Sequence, residues 1–324
     1  MNVLILGGSG FIGRRVSDTL HASGWARPVC ASRHPVAGPP ASRMSIDTRD
    51  LAGLTGALRG MDAVVNCVAG DKASIAHGAR QLVEAASRAH CRRIVHLSSM
   101  SVYGTVEGVV TEEAPLNPNI GWYGRAKCTA EDHMVGYSRQ GGEVVILRPG
   151  CVAGPGSQLW VGCIGRLLRA GRIGDLGLVG DGWSNLVHVD DVSQAVLTAL
   201  RFAVQGDRPA TFNLAAPDSP RWNDYFTDLA LAIRATPLRR ISARRLRMDA
   251  YLAGPLLKIA ERLLRKAGRQ ARWLPDALTP GLLRLWSQEI RLDSSAASRE
   301  LRLGWTAYGD TLRSSVDWFC SGAP

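Results

Sequence analysis

The first thirteen residues, MNVLILGGSGFIG, join a short apolar run to a glycine-rich turn and then to the start of a helical pattern. Gly7, Gly10 and Gly13 are spaced G-x-x-G-x-x-G between a strand and a helix. Glycine at these positions lets the backbone turn tightly and approach a pyrophosphate, which then rests on the helix N-terminus. Few sequences open this way unless a parallel sheet follows.

The next stretches continue the pattern. VLIL (3–6), PVCAS (28–32), AVVNCVA (63–69), RRIVHLSS (92–99) and EVVILRPG (143–150) read as strands, while 11–23, 76–90 and 125–140 have helical spacing. Strands alternating with helices imply an α/β fold, a doubly wound parallel sheet of the Rossmann kind covered on both faces. After Pro149 the pattern loosens. Residues 154–186 are rich in glycine, a strand–helix unit follows at 186–203, and 217–324 read as mostly helical, with loops at Gly254-Pro255 and Pro275–Pro280. The expected organisation is a dinucleotide-binding domain from 1–153 and 187–216, with a smaller, mostly helical substrate-binding domain from 154–186 and 217–324.

Composition excludes several classes. Of the 324 residues, 46% are hydrophobic and 21% charged, which suits a globular protein. No segment approaches the roughly 20 uninterrupted apolar residues of a membrane span, and the opening lacks a basic leader, so a cytoplasmic protein is expected. The seven cysteines (30, 67, 91, 128, 151, 163 and 320) are odd in number and never spaced C-x-x-C. That argues against a disulfide framework or a zinc site. The histidines form no H-E-x-x-H pattern, and no metal site is assigned.

The net charge is +11, and residues 239–272 alone hold eleven Lys/Arg against Asp249 and Glu261, 11 − 2 = +9. A charge run of this kind reads first as a solvated helical face. A docking site for an anionic substrate or a membrane surface is the alternative. No nucleic-acid-binding signature accompanies the charge, so nucleic acid is not expected as a partner.

The second strand ends in Ser32-Arg33-His34, where a site for NAD usually has an acid to hold the ribose 2′-hydroxyl. A guanidinium suits a 2′-phosphate, so NADP is expected in preference to NAD. Asp47, after the next apolar stretch, can accept from an adenine amino group.

Further on, residues 121–127 read GWYGRAK. On a helix, Tyr123 and Lys127 share a face. An ammonium about 4 Å from a phenol contributes about 4 kcal/mol at an effective dielectric near 20. That would bring the phenol to about pH 7, where an acid–base catalyst works well. Upstream, Ser98-Ser99-Met100-Ser101-Val102-Tyr103-Gly104 closes a strand. A serine hydroxyl there can hold a substrate oxygen while the phenol exchanges its proton.

GGSGFIG, SSMSVYG, YGRAK, LRPGCVAGPG, GDGWSNLVHVDDV, FNLAAP and LDSSAASRELRLGW fall in the order found in extended short-chain dehydrogenases/reductases, the epimerase/dehydratase-like family, and the chain resembles that family over nearly its whole length. The resemblance implies Ser99 as the catalytic hydroxyl, Tyr123 as the acid/base, and Lys127 as both ribose ligand and pKa-lowering charge. It also implies Phe11 and Ile12 at the pyrophosphate, Asp47 and Thr48 near the adenine, Val68 and Ala69 along the cofactor, Lys72 near its phosphates, and Pro149 and Val152 beside the nicotinamide. The implied chemistry is hydride exchange between a carbinol carbon of a small molecule and the nicotinamide. A homodimer through the helices beginning near residues 76 and 123 is the implied assembly.

Departures from the family pattern narrow the reaction. Met100 and Ser101 stand where sugar dehydratases have an Asp-Glu pair, which disfavours elimination of water. Cys151 and Ser184 stand where nucleotide-sugar epimerases tend to have asparagine and arginine. A ketone reductase or alcohol dehydrogenase is therefore expected, with a nucleotide-sugar epimerase using retained NAD as the alternative. A dinucleotide-sensing scaffold would need none of the three catalytic residues. A serine hydrolase is disfavoured because GGSGF lacks the second glycine of G-x-S-x-G. His188-Val189-Asp190-Asp191 reads instead as a helix start capped by aspartate. Trp160, Trp183, Trp222 and Trp286 are expected mainly in the core.

Overall fold

The structure, a computed structural model, describes residues 1–33, 42–117, 121–266 and 274–322. His34 and the arginines at 269 and 272 lie outside the described residues. The chain divides into two compact units.

The first unit comprises Met1–Gly150, Val187–Pro217 and Leu292–Thr306. Its sheet strands, in chain order, are β1 (Asn2–Leu6), β2 (Arg27–Ser32), β3 (Ser42–Ser45), β4 (Ala63–Asn66), β5 (Arg93–Leu97), β6 (Glu143–Pro149) and β7 (Ala210–Leu214). They form one seven-stranded sheet in the order β7-β6-β5-β4-β1-β2-β3, with every neighbouring pair parallel. Val3, Leu4, Ile5 and Leu6 are all buried. A continuous apolar run is what a strand needs when helices cover both of its faces.

Helices α1 (Phe11–Ala22), α2 (Leu51–Leu58), α3 (Gly78–Ala89), α4 (Gly121–Arg139) and α5 (Val189–Ala199) supply that cover. Leu54, Leu58, Ala79, Leu82, Ala86, Ala130 and Met134 of α2, α3 and α4 share one core with Leu4, Leu6, Val64, Ile94 and Ile146 of the sheet. Elsewhere α1 meets α5 through an Arg15–Asp190 ion pair and a Thr19 Oγ1–Ser193 Oγ hydrogen bond of 3.0 Å. The chain runs outward from β1 to β3, returns to β4, and then runs outward the other way. The carboxyl ends of β1 and β4 therefore form the topological switch point, where such sheets bind ligands. Here Gly7 approaches Cys67 so closely that an added Cβ would lie 2.9 Å from its carbonyl oxygen.

The strands and helices read from the sequence are present within a few residues. β3, α2 and β7 were not foreseen. The four residues of β3 are only partly buried, and the sequence of β7, ATFNL, is too polar for an apolar run. The cap at α5 also differs from expectation. His188, not an aspartate, is the N-cap residue, its Nδ1 accepting from the Asp190 N–H at 3.2 Å.

Leu292–Thr306 was expected with the helical second half and instead belongs to the first unit. The Asp293 N–H donates to Val110 O at 2.9 Å, and the Ala215 N–H donates to Ser294 Oγ at 2.8 Å. Thr306 Oγ1 donates to Asp191 Oδ1 at 2.7 Å. These contacts place LDSSAASRELRLGW against the sheet.

Beside it runs a buried polar network. Arg148 in β6 donates to both carboxylate oxygens of Glu131 at 3.1 and 2.7 Å, to the Tyr103 hydroxyl at 2.8 Å and to Glu112 O at 3.0 Å. Tyr103 donates in turn to Asn213 Oδ1 at 2.7 Å. The family-like stretches SVYG, LRPG and FNLA are thus joined by hydrogen bonds. A buried charge is tolerated only when it is paired and fully bonded in this way.

The second unit comprises Cys151–Leu186, Asp218–Arg291 and Ala307–Pro324. Its longer helices are α6 (Trp222–Ala232), α7 (Gly254–Lys266) and α8 (Tyr308–Cys320). Trp160, Trp222, Phe226 and Trp286 stack with ring centroids 5.2–6.4 Å apart, so three of the four tryptophans lie in this cluster. Trp183 instead meets the Arg221 and Arg291 guanidinium groups, 4.7 and 4.6 Å from its ring. Gly254-Pro255 is not a loop. It lies inside a continuous helical run, where the π turn Asp249–Ala253 passes directly into α7.

Candidate active site

Gly13 sits in the first turn of α1, where an added Cβ would overlap the Gly7 carbonyl oxygen and lie 2.9 Å from Gly8 Cα. Gly7 has φ +77°, a conformation that glycine adopts without strain. Gly10 is the N-cap of α1 and no side chain caps the helix. The first amides of the helix, at Phe11 and Ile12, therefore keep their capacity for an anion.

At the end of β2, Ser32 is half-buried and Arg33 is exposed. Asp47 holds Arg49 through hydrogen bonds of 2.6–3.1 Å, and this pairing lowers its carboxyl to about 2. A carboxylate so engaged is a weaker acceptor for an adenine amino group than the sequence suggested. Thr48 packs under α3, where a Cβ on Gly78 would lie 2.8 Å from its Oγ1. The Val68 N–H donates to Asn66 Oδ1 at 3.2 Å, and Ala69 and Lys72 are exposed beyond it.

Ser99 ends the β5 segment with extended backbone, and its Oγ accepts the Ser101 N–H at 3.2 Å. The Ser99 side chain is close enough to the Tyr123 phenol to favour its ionised form. Lys127, one turn along α4, is only 2% exposed. Its Nζ donates to Leu97 O at 2.6 Å and Val68 O at 3.4 Å, and lies 6.0 Å from the Tyr123 ring centroid. Asn66 and His96, opposite each other on β4 and β5, are joined by a 3.1 Å contact from Asn66 Nδ2 to His96 Nδ1. Burial, reinforced by the nearby Lys127 charge, holds the His96 imidazole well below its usual range.

One expectation is corrected here. Burial pushes the Tyr123 phenol above its usual value, and the nearby Ser99 side chain pulls it only part of the way back. The lysine does not bring it to neutrality, because the Lys127 nitrogen is turned to two backbone carbonyls rather than held against the phenolic oxygen. Burial instead lowers Lys127 to about 8, against the opposing influence of Cys67 and Glu131.

The expected site residues of the first unit lie at the carboxyl ends of β1, β2, β3, β4, β5 and β6, with Pro149 closing β6, and on α4, which carries Tyr123 and Lys127. Val152 falls in the second unit, its carbonyl accepting Ser157 Oγ at 2.8 Å. Two features escaped the sequence reading. The carbonyls of Leu97 and Val68 that hold Lys127 have no side-chain signature. The Ser98 and Ser101 hydroxyls are buried and have no hydrogen-bond partner among the described residues. The overlap at Gly13, the uncapped helix and the buried lysine together fit a dinucleotide. Gly7, Gly10, Phe11, Ile12 and Gly13 would hold its pyrophosphate, and Arg33 would stand at its adenosine end.

This sheet, this glycine turn and this Ser–Tyr–Lys grouping define an enzyme of the extended short-chain dehydrogenase/reductase class. The chain belongs to the NAD dependent epimerase/dehydratase family, whose model matches residues 3–215. Protein YeeZ of Escherichia coli (strain K12) is 30% identical, covering 73% of this chain and 86% of its own. Sterol demethylase protein B of Methylococcus capsulatus is 25% identical, covering 98% of each chain. Among solved structures, MoeE5 in complex with UDP-glucuronic acid and NAD superposes with a TM-score of 0.71 at 23% identity, covering 99% of this chain and 100% of that one. At that identity the likeness concerns the fold.

Proposed function

We propose that the protein interconverts a ketone and a secondary alcohol on a partly apolar small molecule, using NADP in preference to NAD. The observation that carries this reading is the grouping of Ser99 and Tyr123 beside Lys127, which is buried with its Nζ 6.0 Å from the Tyr123 ring centroid. A bound nicotinamide would supply or accept the hydride. In the reducing direction, the Ser99 hydroxyl donates to the substrate carbonyl oxygen and holds it against Tyr123. The raised phenol keeps its proton at neutral pH and gives it to that oxygen as the carbon is reduced. The phenolate left behind is reprotonated by solvent, while the Lys127 ammonium, held on the carbonyls of Leu97 and Val68, would stand ready for the nicotinamide ribose.

Two further observations favour a reductase over its relatives. Met100 is buried and Ser101 is not acidic, so neither supplies the carboxylic acid that elimination of water needs. Cys151 and Ser184 are 2% and 0% exposed, and Ser184 Oγ is engaged with Ser219 Oγ at 2.9 Å and Pro220 O at 2.5 Å. Neither side chain is free to bind a sugar diphosphate. The name of the Methylococcus relative, which spans nearly this whole chain, supports an apolar substrate.

The test pairs a thermal-shift screen with absorbance at the NADPH band over a panel of cyclic ketones and alcohols. NADP⁺ should raise the melting temperature more than NAD⁺, and at least one apolar ketone should be turned over. Tightly retained NAD, stabilisation by UDP- or dTDP-sugars and silence on every ketone would instead establish the epimerase reading.

A further inference from the structure

Six of the eleven exposed large apolar side chains among the described residues fall within Met248–Leu263: Met248, Tyr251, Leu252, Leu256, Ile259 and Leu263, each 54–67% exposed. Solvent-exposed leucines scattered singly need no explanation, but a contiguous stripe does. The stripe is not an accident of a loose helix. Gly254 is buried, and an added Cβ there would overlap the Leu278 carbonyl oxygen, so one face of α7 is seated on its own unit. Leu256, Ile259 and Leu263 are spaced three and four apart along the outward face. Lys258 and Arg262, four apart, are exposed among them, and Arg244, Arg245 and Arg247 are exposed just before.

We infer that Met248–Leu263 docks on an anionic lipid surface, with α7 lying in the plane of the interface and its leucines entering the acyl boundary. This goes beyond the proposed reaction and does not depend on it. Charge decides between lying on and crossing: the continuous helical run from Ala243 to Lys266 carries Arg244, Arg245, Arg247, Lys258 and Arg262, and no helix among the described residues is apolar enough to cross a membrane. Charge decides the occupant. The 239–272 segment is +9, and Asp249, one of its two acids, is already paired with Arg172 at 2.6 Å. A second copy would set this charge against its like, whereas anionic headgroups complement it while the leucines are buried.

Vesicle sedimentation of the full chain tests this, using neutral phosphatidylcholine and phosphatidylcholine with about a third phosphatidylglycerol. Binding should be confined to the anionic vesicles and weaken as salt is raised. The triple variant Leu256→Ser/Ile259→Ser/Leu263→Ser should lose at least about tenfold in partitioning with its melting temperature kept, because these side chains support nothing beneath them. Leu256→Trp gives a second reading: its emission should shift to the blue with anionic vesicles and stay unchanged with neutral ones. Equal binding to both vesicles, no binding, or unchanged binding by the triple variant would overturn the inference. So would a dimer in solution that the triple variant dissociates, since a second copy would then cover the face.

Discussion

Gly124 of α4 approaches the Ser101 carbonyl so closely that an added Cβ would lie 2.7 Å from its oxygen. This contact lets the helix carrying Tyr123 settle on the turn carrying Ser99. Gly124→Ala should push the two apart and lower kcat about ten- to hundred-fold, with a smaller change in cofactor affinity. Tyr123→Phe, which keeps the packing and removes the proton, should lower kcat about a hundred- to ten-thousand-fold. Steady-state kinetics check both. Equal activity of wild type and Tyr123→Phe would remove the phenol from the mechanism.

Lys127 predicts two pH dependences. Its ammonium, lowered to about 8, is lost as pH rises through that value, so ketone reduction should decline above it. For stability the sign is opposite. The folded pKa lies below the unfolded one, so the unfolded chain binds more protons between about 8 and about 10.4, and folding gains stability as pH rises through that window. Below about pH 8 the buried charge carries its full cost. The melting temperature of Lys127→Met relative to wild type, measured without dinucleotide, should therefore be higher at pH 7 than at pH 10. A difference independent of pH would show that the lysine is not held charged in the interior.

At the glycine turn, Gly13→Val should separate α1 from the Gly7 carbonyl. We expect a lower melting temperature and loss of dinucleotide binding, read by quenching of protein fluorescence. Retained affinity at wild-type strength would mean that the pyrophosphate rests elsewhere.

Arg33 stands exposed at the end of β2. If it meets a 2′-phosphate, Arg33→Ala removes a charge-assisted hydrogen bond, which is worth about 1.5–3 kcal/mol. The NADP-over-NAD ratio of kcat/KM should fall about ten- to hundred-fold. An unchanged ratio would transfer the choice of cofactor to other residues.

Arg148 and Glu131 form a buried pair, 7% and 3% exposed. Arg148→Met leaves Glu131, the Tyr103 hydroxyl and Glu112 O without their donor. It should cost about 3–5 kcal/mol, read from denaturant midpoints. Reversing an exposed pair such as Arg88–Glu84 should change stability by less than about 1 kcal/mol.

Legibility in the sequence followed the range of the cause. β1, its glycine turn and α1 were readable because strand, loop and helix are contiguous and each obeys a local rule. The i, i+4 placement of Tyr123 and Lys127 was readable for the same reason. The electrostatics of that pair was not, because the carbonyl that holds Lys127 at 2.6 Å belongs to Leu97, thirty residues away, and any residue there would present the same oxygen. Arg148 looked like part of a motif and proved to be the hub of a network whose partners are spread from Tyr103 to Asn213. β7 and the segment Leu292–Thr306 were missed because their stability comes from neighbours distant in the chain rather than from their own apolar content.

That last segment has a consequence for synthesis. Residues 293–306 reach the amino-terminal sheet only after the whole intervening chain has been made, yet they satisfy groups at Val110, Asp191 and Ala215. While a ribosome is still translating the residues in between, the nascent sheet must hold those groups open to water. Its finished form therefore waits until that segment has left the ribosome.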